Sequence, residues 1–176
     1  MIVNKELERA KAHDDQAWTD ATLQSAQNLR NYIKQPYSVA MWSRAIRHAF
    51  EDQWCPMPRQ TSWDWTEIGR RYTPPKDRVV ALRCGDRLAA LSVILARRSW
   101  VKVHFLEGDP REDCPMRGQR AIVMLDLAAT YGQRLGCEEI HIEPVNNTLQ
   151  SLYCGTFGFE EVLIKGRVEY LRRSLT

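Results

Sequence analysis

The chain lacks most of the features that would place it in a special class. No run of apolar residues is long enough to cross a bilayer. The opening stretch MIVNKELERAKAHDD is polar and has no apolar secretory core. A cytoplasmic protein without a membrane segment is therefore expected. Cysteine pairing is missing too. Cys55, Cys84, Cys114, Cys137 and Cys154 are odd in number and include no C-x-x-C pair. That reads against a disulfide framework and a zinc ribbon, and for reduced thiols. Internal repeats and low-complexity tracts are absent. Charge of one sign is also lacking. With 25 Lys and Arg against 22 Asp and Glu, the net charge is +3 and the pI about 8.6. This is well short of a nucleic-acid-binding composition, yet it permits an anionic ligand.

What remains is an ordinary globular composition, 44% hydrophobic and 27% charged over 176 residues, enough for one domain with a core. Residues 1 to about 75 read as helical. One helix is expected over Asp20 to Lys34, before Pro36. Another is expected over SVAMWSRAIRHAFEDQW, capped by Ser38, with Val39, Trp42, Ile46, Ala49 and Phe50 on one face. CPMPRQ is a loop, because its two prolines remove donors and fix φ. TSWDWTEIGRRY reads as a short helix capped at Thr61 or Ser62.

From Arg78 the periodicity changes. RVVALRC and RLAALSVILAR form a hairpin about Gly85-Asp86. SWVKVHFLEG is a third strand. Alternation puts Val101, Val103 and Phe105 on one face and Lys102, His104 and Leu106 on the other. After a loop, AIVMLDLAATYGQRLG is an amphipathic helix ending at Gly136. EEIHIEP is a short buried strand, NNTLQSLYCGTFGF a helix, and EEVLIKGRVEYLRRSL a last hairpin. A meander feeding a β-α-β crossover makes a mixed α/β sheet.

Several residues carry chemistry. A loop entering a helix offers unpaired N–H groups and a positive dipole end, and Arg117 and Arg120 would add charge-assisted contacts to an anion. His104 and Glu107 lie on the strand before that loop and are candidates for a general base. His141 and Glu143 share a face of EEIHIEP and approach His104 if the two strands are neighbours. No spacing supplies a third ligand for a metal, so none is expected. In QWCPMPRQTSWDWTE, Trp54, Trp63 and Trp65 either line a pocket for a cationic amine or seal helices onto the sheet. Asp64 and Glu67 either attract an amine or complement a helix dipole.

From Arg78 onward the element order resembles the GNAT family of N-acetyltransferases. Three pieces carry the resemblance: HFLEGDP…MRGQRAIVMLDLAATYGQRLG, EEIHIEP and NNTLQSLYCGTFGF. It implies a GNAT-like sheet, antiparallel and parallel in part and flanked by helices, over a single domain of residues 1–176. Residues 1–77 would be a helical part forming the acceptor side, and 78–176 would hold acetyl-CoA. The implied activity is transfer of an acetyl group from acetyl-CoA to a primary amine of a small molecule or protein, by direct attack in a ternary complex. The resemblance places the cosubstrate on Leu106, Arg117, Gly118, Gln119, Arg120, Ala121, Asn146 and Asn147. Arg120 stands where the family has its middle glycine, and Ile122 where it has a last glycine or alanine.

In the family a tyrosine protonates the departing thiolate. Counting back from Gly158-Phe159 places Cys154 there. Counting forward from Asn146 places Tyr153 there, with one extra residue before Gly158. A phenol is the better donor, so Tyr153 is the candidate acid. Other readings are a catalytically degenerate binding module on the same fold and an acetyltransferase acting on charged tRNA through its basic residues. A homodimer through the last strands is compatible with the sequence.

Overall fold

The computed structural model describes residues 2–176. One sheet of seven strands runs through the molecule in the order β1-β2-β3-β4-β5-β7-β6. The strands are β1 (Ser38–Met41), β2 (Asp77–Cys84), β3 (Arg87–Ala96), β4 (Trp100–Gly108), β5 (Glu139–Ile142), β6 (Glu160–Ile164) and β7 (Arg167–Ser174). Five helices accompany them: α1 (Ile2–Leu29), α2 (Arg44–Gln53), α3 (Trp65–Arg71), α4 (Arg120–Leu135) and α5 (Asn147–Phe157). Every strand pair is antiparallel except β4 with β5, joined through the α4 crossover. The mixed sheet expected from the sequence is present. Among the described residues no helix is long and apolar enough to cross a membrane. All five cysteines are free.

The N-terminal third departs from its sequence reading. Ser38–Met41 is not the start of a helix but an edge strand on β2, so residues 1–77 are not wholly helical. Helix α2 begins at Arg44, where Ser43 accepts the Ile46 N–H at 3.3 Å. The apolar spacing of Val39 and Trp42 continues the helical stripe of Ile46 and Phe50. It therefore hides a strand of only four residues. Helix α1 ends at Leu29 rather than near Lys34. Asp64, not Thr61 or Ser62, caps α3, accepting the Thr66 and Glu67 N–H groups at 2.9 and 3.1 Å.

Two cores form, one on each face of the sheet. On the first face, α1 and α4 pack with Val80, Val101, Val103 and Ile140. Gly132 lets α4 close on β4, because a Cβ there would lie 2.5 Å from a Val101 methyl carbon. On the second face, Ile46, Phe50, Trp54 and Trp65 pack against Leu88, Leu91 and Val93. Strand β4 contributes to both. Val93 pairs with Phe105 and Ile94 with Val103, leaving His104 as an extra residue in a β-bulge. The extra residue reverses the alternation. Phe105 thus leaves the face of Val101 and Val103 and packs on Trp63 and Trp65, while Leu106 joins the first core.

Candidate functional site

Strands β4 and β5 are paired only from Trp100–Glu139 to Val103–Ile142. Strand β5 stops there, but β4 continues to Gly108. Beyond the bulge, one edge of β4 therefore has no strand against it, and its N–H and C=O groups on that side are free of ladder partners. The opening continues into a cavity of about 470 Å³. Its walls are the end of β4, the loop to α4, the first turns of α4 and α5, and Gln60 and Thr61 from the loop before α3.

Helix α4 presents its N-terminus to this cavity. Gln119 occupies the cap position with no side-chain hydrogen bond to the first turn. The first helical bond runs from the Val123 N–H to the Gln119 carbonyl, so the N–H groups of Arg120, Ala121 and Ile122 have no helical acceptor. Gly118, at φ +79, turns the chain into the helix. Arg117, Gly118, Arg120 and Ala121 line the cavity; Gln119 does not, and its Oε1 is buried without a partner.

The Arg120 side chain lies across Gly108, where a Cβ would come within 2.3 Å of Nη1, and it donates to the Asp109 carbonyl at 2.8 Å. It thus packs back against β4. Among the described residues no carboxylate pairs with it. The neighbouring charges are largely balanced. Asp109 is fully buried and bound by Arg87 and Arg111, and exposed Arg117 faces Glu112 at 3.9 Å. The surplus charge near the helix start is positive.

Tyr153 forms the inner wall and is 3% exposed. Burial pushes its phenol up to about 12. Its hydroxyl has no hydrogen-bond partner among the described residues. Cys154 is half-buried and is not part of the cavity wall. The two helix ends differ. At the end of α4, the Gly136 N–H bonds three and four residues back and that of Cys137 five back. At the end of α5, the Gly158 and Phe159 N–H groups both bond the Tyr153 carbonyl, five and six residues back. The last turn of α5 is therefore wider than that of α4. Asn146 caps α5, its Oδ1 accepting the Leu149 N–H at 2.9 Å, and lines the cavity. Asn147 opens the helix on the exposed side and does not line it. Leu106 does.

Glu107 also lies in the wall, but its carboxylate is occupied. It accepts from Arg59 Nε at 2.9 Å, Arg59 Nη2 at 2.7 Å and Trp65 Nε1 at 2.6 Å. Arg59 also donates to the Trp63 carbonyl and lies over the Phe50 ring. Sequence reasoning missed Arg59 altogether. A lone arginine just after two prolines carries no periodic signal. Trp54 and Trp65 are fully buried, Trp63 half-buried; they seal this loop to the sheet.

His104 sits outside the cavity wall, at the fork of β4 and β5. Its Nδ1 is buried without a hydrogen bond, 3.9 Å from Glu143 Oε2. Burial first, then Lys102 beside it, holds the imidazole below its usual range. Lys102 binds the other Glu143 oxygen. His141 does not join this group, although β4 and β5 are neighbours. It bonds Glu139 at 2.8 Å and stacks on Trp100. Among the described residues no cluster suited to a metal ion occurs.

The fold matches known structures over most of this chain. A ribosomal-protein-S18-alanine N-acetyltransferase from Escherichia coli superposes with a TM-score of 0.56 at 13% identity, covering 80% of this chain and 95% of that one. The protein has the GNAT fold. A GNAT-family acetyltransferase from Staphylococcus aureus gives 0.56 at 10% identity, covering 80% and 100%. An aminoglycoside 6'-N-acetyltransferase from Enterococcus faecium gives 0.52 at 12%, covering 79% and 97%. No family model and no curated protein matches the sequence.

Proposed function

We propose that this GNAT-fold protein transfers an acetyl group from acetyl-CoA to a primary amine. The parting of β4 from β5 carries the reading. It opens a polar strand edge to a cavity whose walls include an uncapped helix start, an arginine without a carboxylate and an unpartnered phenol. This donor set suits a molecule with a phosphate group at one end and an extended amide chain leading from it. The free N–H groups of Arg120, Ala121 and Ile122 would hold the pyrophosphate, with Arg117 in the cavity wall adding positive charge. The free edge of β4 from Leu106 onward would take the amide chain as an added strand does. Arg120 in place of glycine does not block this fit, because its side chain turns away across Gly108.

Bound acetyl-CoA supplies an acyl carbon on a thioester whose sulfur leaves as a thiolate. An N–H of β4 near Leu106 to Gly108 faces the charge that develops on the carbonyl oxygen. Tyr153 gives its proton to the departing sulfur. A phenol held near 12 stays protonated at every physiological pH and so has a proton to give. Asn146 fixes the start of α5 and so the height of Tyr153 in the wall.

The test is thiol release from acetyl-CoA with a panel of primary amines: small diamines, aminoglycosides and peptides with free N-termini. Amine-dependent release with acetylated product, seen by mass spectrometry, is the expected result. Saturable acetyl-CoA binding with no transfer to any amine would instead favour a binding module on the same fold.

A further inference from the structure

Two groups on β4 are chemically able to take the proton that the attacking amine loses as the N–C bond forms. Glu107 already holds three hydrogen bonds, two from a single guanidinium. A proton on either oxygen would break a donor contact inside a buried ion pair. The carboxylate is therefore engaged in fixing the 54–64 loop to β4.

His104 is placed differently. It is the bulged residue, at the point where β4 loses β5, two residues from Leu106 and roughly 7 Å along the strand. Its ring rests on Phe105 and Tyr72, on the sheet face carrying α3 and the aromatic loop, opposite α4. Its Nδ1 is buried and unbonded, facing Glu143 Oε2. Glu143 is anchored through its other oxygen by Lys102. With its proton on Nδ1, 3.9 Å from that carboxylate, the ring keeps Nε2 to accept a second proton. The charged groups around the ring are Lys102 on β4, Glu143 just past β5, Arg71 on α3 and Asp77 on β2. Tyr72 faces it from the end of α3.

Resting on the acetyl-transfer reading, we propose that His104 is the proton acceptor for the amine and that Glu143, held by Lys102, is its positioning residue. The amine enters neutral, its ammonium proton already given to solvent; its nitrogen forms the N–C bond and gives one proton to Nε2, directly or through one water. The C–S bond breaks, and the sulfur takes the Tyr153 proton. His104 then returns a proton through solvent to the Tyr153 phenolate, so protons and charge balance over the cycle.

The experiment pairs NMR titration of the His104 ring with the pH dependence of kcat/KM, in the wild type and in Lys102→Met, Glu143→Gln and His104→Asn. Glu143→Gln removes the charge that favours imidazolium, so the His104 midpoint should fall. Lys102→Met removes a repelling cation and frees Glu143, so it should rise. The acidic limb of kcat/KM should move with the midpoint in both. His104→Asn should lower kcat by about 100-fold or more and abolish that limb. A limb that stays in place while the NMR midpoint moves overturns the assignment, as does His104→Asn with unchanged kcat. Absence of both acetyl-CoA binding and transfer in the wild type would instead overturn the acetyl-transfer reading, and the assignment with it.

Discussion

Tyr153 and His104 are both pushed toward their neutral forms, with opposite consequences on the pH axis. For Tyr153 the folded chain holds its proton up to about 12, above the ordinary 10 of an exposed phenol. Between those values the unfolded chain loses that proton first, so stability falls as pH rises from 10 toward 12. Tyr153→Phe should flatten that fall in alkaline denaturation curves. At neutral pH the same variant should lose about 100-fold in kcat with unchanged acetyl-CoA affinity. For His104 the folded midpoint lies below 6.5. Its contribution to stability is complete above 6.5 and is lost as pH falls toward the folded midpoint. The Arg59–Glu107 pair has side chains only 14% and 5% exposed. Arg59→Ala strands a buried carboxylate and should cost about 3–5 kcal/mol in urea denaturation. Glu107→Gln keeps an acceptor for Trp65 and should cost less.

At the scale of elements, the early end of β5 opens the cavity, beside the bulge in β4 and the wide last turn of α5. Asn146→Ala removes the cap that fixes the start of α5. It should cost about 1 kcal/mol in thermal or urea unfolding and lower kcat more than it weakens acetyl-CoA binding. How legible the elements were follows from the same physics. Strands β2 to β7, α4 and α5 were readable because period, turn residues and caps agree, as at Gly85-Asp86 and Gly136. Strand β1 was not, since four edge residues in phase with the next helix give no separate period. The bulge was hidden because VKVHF alternates regularly in sequence, and only pairing with β3 shows that His104 is extra. Tyr153, Leu106, Arg117, Gly118, Arg120, Ala121 and Asn146, grouped by the resemblance, line one cavity. The Arg59 clamp joins residues 48 positions apart and had no sequence signal.

Across the whole molecule, α1 and α4 cover one face of the sheet while the aromatic loop covers part of the other, leaving the fork of β4 and β5 open between them. Helix α1 is fastened by a buried cluster. The Arg78 guanidinium lies against Trp18 and Tyr131 and binds Asp14, whose other oxygen accepts the Tyr131 hydroxyl at 2.5 Å. This cluster lies away from the cavity wall. Tyr131→Phe should therefore lower stability by about 1–3 kcal/mol in urea denaturation while acetyl-CoA binding persists in the folded protein. The claim on which the rest depends is that the fork of β4 and β5 receives acetyl-CoA. Isothermal titration of the intact protein with acetyl-CoA, alongside Tyr153→Phe, tests it most directly. Saturable binding at one site, equal in both proteins and accompanied by a rise in Tm, is the predicted result. No heat and no change in Tm at millimolar acetyl-CoA would contradict it.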